Sequence, residues 1–264
     1  MNLQLHLELA AAYRSAAQMA RVVTEAWVAE QMYCPRCGAE KLCHAANNRP
    51  AEDFVCPSCK SSYELKSKRG AVGHKLANGA YEALLQRIRS NNNPDLLVLT
   101  YDCLEGYVRN LWVIPKTFFV PSLIEKRPPL SAGARRAGWV GSNILFSVIP
   151  PQGKICVLNE GQQEEKGQVL TNMRQASGMM PAALKARGWV LDMLACLEKI
   201  PAEMFSLEDV YRFEPWFSAR HPRNRNIRPK IRQQLQRLRD YGVLEFIGAG
   251  CYRKAAANNR AAVE

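Results

Sequence analysis

Two sets of chemically active residues are interleaved between positions 34 and 68. Cys34 and Cys37 form one C-x-x-C pair and Cys56 and Cys59 a second, with eighteen residues between the pairs. Four thiolates at that spacing predict a closed tetrahedral shell for zinc, so this metal would be structural rather than catalytic. Threaded through them are Asp53 and, eleven residues later, Glu64-Leu65-Lys66. Glu64 and Lys66 are two apart, so on a strand they share a face. Asp53, on a paired strand, can bring a second carboxylate to that face. Two carboxylates and a carbonyl oxygen, that of Leu65, are the hard ligands magnesium requires. Such an ion would activate a water and stabilise charge on a scissile phosphate. Lys66 would orient or help deprotonate the water. An isolated E-x-K is common on charged surface strands; Asp53, on a plausible partner strand, turns it into a candidate hydrolytic centre. Glu25 is a possible accessory acid, and His74 reads as a loop residue. Cys43 and His44 are ligand types at a poorer spacing.

The elements that must position these residues follow from periodicity. Apolar residues at helical spacing predict two helices, or one broken helix, over residues 5–31. Asn47-Asn48-Arg49-Pro50 signals a loop. Asp53-Phe54-Val55 and residues 62–68 then form a hairpin whose turn is the second cysteine pair, where a metal fixes a turn with little core of its own. Residues 80–89 read as a helix. Residues 96–100, LLVLT, are a continuous apolar run and predict a strand buried on both faces. Further strands are expected at 108–114, 144–149 and 154–158, and mostly loop over 122–141. Arg135 and Arg136 beside Trp139 in that loop suit phosphate contact with stacking or an apolar wall.

Composition narrows the partners. The 264 residues carry a net charge of +12, which favours nucleic acid through counterion release from phosphates. The eight Lys and Arg between positions 220 and 239, with no acid, concentrate that charge. With no apolar run near transmembrane length and no signal-peptide pattern, no membrane partner and a cytoplasmic location are expected. The cysteine total of nine is odd. That fits one metal site better than a disulfide framework, leaving Cys43, Cys103, Cys156, Cys196 and Cys251 as ordinary thiols.

Around residues 177–181 the composition changes, and three helices and a hairpin follow, over 188–200, 207–213, a third opened by Pro229, and strands 243–246 and 251–254. That order predicts a winged helix. On the third helix Asn226, Lys230, Gln233 and Arg237 are expected opposite Ile231 and Leu235, where they could meet base edges and phosphates. The expected domains are 1–182 and 183–254, with a loose tail at 255–264.

Taken together, YCPRCG, NNRPAEDFVC, YELKSKRG, ARRAGWVG, RGWVLDML, SLEDVYRFE and KIRQQLQRLRDYGVLEF resemble the methyl-directed restriction endonucleases of the DpnI family, over nearly the whole chain. The resemblance implies an α/β (α+β) restriction-endonuclease-like domain of the PD-(D/E)XK class with an inserted four-cysteine zinc site, followed by a winged-helix domain. It implies magnesium-dependent cleavage of double-stranded DNA within GATC containing 6-methyladenine, both domains reading the methylated site. By position it assigns Asp53, Glu64 and Lys66 to catalysis, the Leu65 carbonyl to the magnesium ion, the four cysteines to zinc, and Trp139 to a methyl pocket. Glu52 stands where the motif's name has proline, and Arg220-His221-Pro222-Arg223 departs from the family pattern. A monomer without a required protein partner is expected, cutting the two strands in separate events. The rival reading is a zinc-containing winged-helix regulator whose nuclease-like face is inactive.

Overall fold

The computed structural model describes residues 1–46 and 51–255; the loop signal at 47–50 and the tail from 256 lie outside them. The described chain divides into two compact units, Met1–Arg174 and a second from Gln175 onward.

The first unit opens with a 3-10 turn, Leu7–Ala10, and helix α1, Ala16–Gln31. Strands β1 (Cys43–His44), β2 (Phe54–Val55) and β3 (Ser62–Arg69) follow. Then come β4 (Leu76–Ala80), α2 (Tyr81–Arg89), β5 (Asp95–Asp102) and β6 (Tyr107–Ile114). The unit continues with β7 (Ile124–Pro129), β8 (Val140–Ile144), β9 (Ile155–Asn159), β10 (Gln162–Gln163) and the start of α3 (Lys166–Met179). Seven strands form the main sheet in the order β1-β2-β3-β5-β6-β9-β10. β3 and β5 are parallel, and the other pairs antiparallel. Leu96, Leu97, Val98 and Leu99 of β5 are all buried, as an apolar run in a central strand requires.

Several expectations need correction here. The expected loop over 122–141 contains β7 and β8, which with β4 make a second sheet in the order β4-β8-β7. β7 lies at its edge, where Pro128 and Pro129 break no central ladder. The apolar stretch 144–149 is not a strand: β8 ends at Ile144 and Phe146–Val148 is a 3-10 turn. Phe146 and Ile149 are buried there, so the apolarity reflects packing rather than strand pairing. α3 was hidden by its Gly, Ser and Thr content, which weakens a helical stripe.

The second unit holds α4 (Leu184–Glu198), β11 (Met204–Ser206), α5 (Leu207–Tyr211), α6 (Glu214–Arg220), α7 (Ile227–Asp240), β12 (Leu244–Gly248) and β13 (Cys251–Lys254). The strands order as β11-β13-β12. Trp189, Met193, Cys196 and Leu197 of α4 meet the core beside Ile231, Leu235 and Leu238 of α7, all of them buried. Ser206 and Asp209 form a reciprocal capping box that starts α5. The expected helix over 207–213 corresponds to α5 alone, and an unexpected helix, α6, follows it, with Pro215 in its first turn. Among the described residues, the four helices α4 to α7 closed by the β12–β13 hairpin wing give the winged helix. No helix among the described residues is long and apolar enough to cross a membrane.

Candidate active site and metal centre

The four cysteines converge. Their sulfur atoms all lie within 4.8 Å of one another, and the Cys34–Cys59 and Cys37–Cys56 separations are both 3.6 Å. A regular tetrahedron with 2.3 Å Zn–S bonds has edges of about 3.8 Å, whereas a disulfide would need about 2.05 Å. The donor set therefore fits a structural zinc ion. Each knuckle turns through a left-handed residue directly after its second cysteine, Gly38 at φ 78° and Lys60 at φ 61°. Gly38 N donates to Cys34 O and Lys60 N to Cys56 O, which closes the two turns alike. Cys43 and His44 stand apart in β1, with the His44 ring 5.0 Å from that of Phe54.

Two residues that spacing alone does not single out anchor the knuckles to the sheet. Tyr63 is fully buried on β3, with its hydroxyl 3.1 Å from Cys34 Sγ. Arg36, inside the first knuckle, grips Asp95 of β5 with both arms, at 2.5 and 2.7 Å. Asp95 is 1% exposed and also accepts the Lys116 backbone N–H at 2.7 Å. Burial pushes the Cys34 thiol up to about 12, while the backbone N–H of Ala39 helps lower that of Cys37 to about 6. Low values are those a thiolate ligand needs.

The knuckle hairpin sets the register of the carboxylates. Phe54 pairs with Tyr63 and Val55 with Ser62. Continuing that ladder by one residue puts Asp53 opposite Glu64, and directly opposed side chains share a face. Asp53 Oδ2 accepts the Leu65 N–H at 2.7 Å, while its own N–H donates to Tyr63 O. On the same face Lys66 Nζ lies 2.7 Å from Glu64 Oε1. Asp53, Glu64, Leu65 and Lys66 are thus brought together. Glu64 is buried and Leu65 only half-buried, the reverse of what simple alternation suggests. Glu64 faces a recess lined also by Asn78 of β4, Arg87 of α2 and Asn93. From α1, Arg21 pairs with Glu25 at 2.6 Å. Its pKa is raised chiefly by that hydrogen bond and in smaller part by the charge of Asp53, which sets Arg21 near the cluster. Glu25 is therefore already occupied by an arginine. His74 lies between strands, in a loop.

Residues 1–181 match the profile of the DpnI, or Dam-replacing, family. The chain belongs to the Dam-replacing family. Residues 185–254 match that family's helix-turn-helix domain, the same stretch that folds here as the winged unit. Membership makes the chain one of a family of methylation-dependent restriction endonucleases, with a helix-turn-helix domain of the DNA-binding kind.

The remaining candidates of this Dam-replacing chain occupy two places. Arg135, Arg136 and Trp139 lie in the β7–β8 loop. Arg136 sits 4.9 Å over the Trp139 ring, and that ring lies across Gly141, where an added Cβ would come within 2.8 Å of it. In the winged unit Asn226 is the residue before α7, Gln233 is exposed, and Lys230 Nζ donates to Gln233 Oε1 at 2.6 Å. Asn226 and Gln233 are exposed on the side away from Ile231 and Leu235, whereas Lys230 and Arg237 lie at the border of the buried face. At 100° per residue, the 226/230/233/237 row runs beside the buried row Ile227, Ile231, Gln234 and Leu238. Lys230 and Arg237 are accordingly half-buried. Arg237 Nε donates to Met179 O at 2.7 Å, which draws it to the unit's own backbone. The fully exposed side of α7 carries Pro229, Arg232, Gln233 and Gln236.

Proposed function

We propose that the protein is a magnesium-dependent type II endonuclease that cleaves double-stranded DNA within GATC containing 6-methyladenine. The observation that carries this reading is the register-matched Asp53 and Glu64 with Lys66 on the same face, in a chain of the Dam-replacing family. Asp53 and Glu64, with the Leu65 carbonyl, offer the oxygen donors a magnesium ion prefers. When bound, that ion supplies a water of lowered pKa and positive charge for the phosphate. Lys66 holds the water's orientation and offsets phosphate charge. Cys34, Cys37, Cys56 and Cys59 hold a structural zinc ion that fixes the hairpin carrying Asp53. Residues 1–182 act as the PD-(D/E)XK nuclease domain and 183–254 as the reader. Trp139 lines the methyl pocket of the first, with Arg135 and Arg136 on the phosphates. Asn226, Lys230, Gln233 and Arg237 face DNA in the second. The protein works in the cytoplasm as a monomer, needs no protein partner, and cuts the strands in separate events.

The direct test is nicking and linearisation of adenine-methylated plasmid by Asp53→Ala, Glu64→Ala and Lys66→Ala. Each is expected to lose activity by a factor of roughly one hundred or more while still binding the DNA. Full activity in Glu64→Ala would remove this site from the reaction.

A further inference from the structure

The winged unit carries a groove at the head of α7 that shares Asn226 and Lys230 with the row described above and extends away from it. It encloses about 890 Å³ between the start of α4, the loop after α6 and the first turn of α7. Lys185, Arg220, Arg223, Arg225 and Lys230 line it, and none of its lining residues is Asp or Glu. One acid beneath the groove sets its shape. Asp192 lies nearly one helical turn beyond Trp189 on α4 and is 7% exposed. Its Oδ1 accepts from Arg220 Nε at 2.7 Å, and its Oδ2 is 2.7 Å from His221 Nε2. His221 stacks on Trp189 with ring centroids 3.7 Å apart and planes 12° from parallel. Trp189 stacks in turn on Phe217. Arg220 also lies 4.9 Å over the Trp216 ring. The last residue of α6 and the first residue of the loop are therefore pinned, and the exposed Arg223 and Arg225 leave from a fixed point, across from the exposed Lys185.

We propose that this groove holds a stretch of DNA sugar-phosphate backbone beside the base pairs that α7 reads. Lys185, Arg223 and Arg225 contact phosphates, and Asp192 is the positioning residue that shapes the loop. The inference rests on the DNA-binding reading of the winged unit. Several cations spread along an open groove suit a polyanion, which gains from releasing many counterions at once, better than one small anion. A stacked base is the poorer occupant, because His221 already covers Trp189, itself 7% exposed.

The test uses the full-length protein and a labelled duplex with one GATC, methylated or not, with calcium replacing magnesium. Binding is measured from 50 to 250 mM salt, values chosen as roughly the range where counterion release dominates. Each lost phosphate contact should flatten the log affinity against log salt line by about 0.9. The K185A/R223A/R225A variant should therefore flatten it by roughly 2 to 3. Its affinity at 0.1 M salt should fall about tenfold or more on both duplexes, because phosphates carry no methyl information. Asp192→Asn should flatten the slope in the same direction; a fall in thermal midpoint with an unchanged slope would reduce Asp192 to a folding role. An unchanged slope in the triple variant, with wild type cutting methylated plasmid normally, would overturn the groove and leave the endonuclease standing. Wild type that binds but does not cut, with a flattened triple variant, would overturn the endonuclease and support the groove.

Discussion

At the residue scale, what spacing reveals and what it hides can be separated. Asp53, Glu64, Lys66 and the four cysteines are close in sequence, so their convergence is legible before any fold is known. Arg36 is not, because its partner Asp95 is 59 positions away and an arginine between two cysteines carries no signal of its own. Yet Asp95 is a buried carboxylate held by both arms of Arg36 and one backbone N–H. Arg36→Met would leave that charge with the Lys116 N–H from this set. Breaking such a pair from one side is expected to cost about 3 kcal/mol, read as a lower urea midpoint with an unchanged slope. A change below roughly 1 kcal/mol, the range of an exposed pair, would mean the pair is not what ties knuckle to sheet. The border position of Lys230 and Arg237 was illegible for another reason: charge marks a side chain as polar, not which side of the helix it takes.

At the element scale, the hairpin β2–β3 joins the four-cysteine site to the residues proposed for catalysis. β2 has two residues, too short to hold a register alone, and the second knuckle is the turn that closes it. Zinc analysis of purified protein should give one ion per chain. Stripping it should lower the thermal midpoint and abolish cleavage together, because Asp53 loses its place opposite Glu64. Retained cleavage after complete removal would break that link. Ser206→Ala should remove one half of the α5 capping box and cost about 1 kcal/mol, measured by thermal melting. The strand β5 was readable from its continuous apolar run and the amphipathic α7 from its helical period. The second sheet was not, because Pro and Gly in β7 and β4 imitate loop composition, and an edge strand tolerates both.

At the scale of the whole molecule, selectivity for a methyl group is an energy problem. Burying one methyl contributes about 0.8 kcal/mol, or roughly fourfold in affinity. The single pocket proposed at Trp139 would not give strong discrimination, so the proposed selectivity requires two reading units, or an unfilled pocket that opposes binding of unmodified DNA. The charge of +12 supplies affinity for any duplex and thus sharpens the need for such a penalty. The most direct measurement is digestion, in magnesium, of one plasmid prepared with and without adenine methylation at GATC. Cutting of the methylated form alone, into fragments bounded by GATC, is the predicted result. Equal cutting of both forms would contradict the methyl reading, and cutting of neither, by protein that still binds DNA, would contradict the nuclease itself.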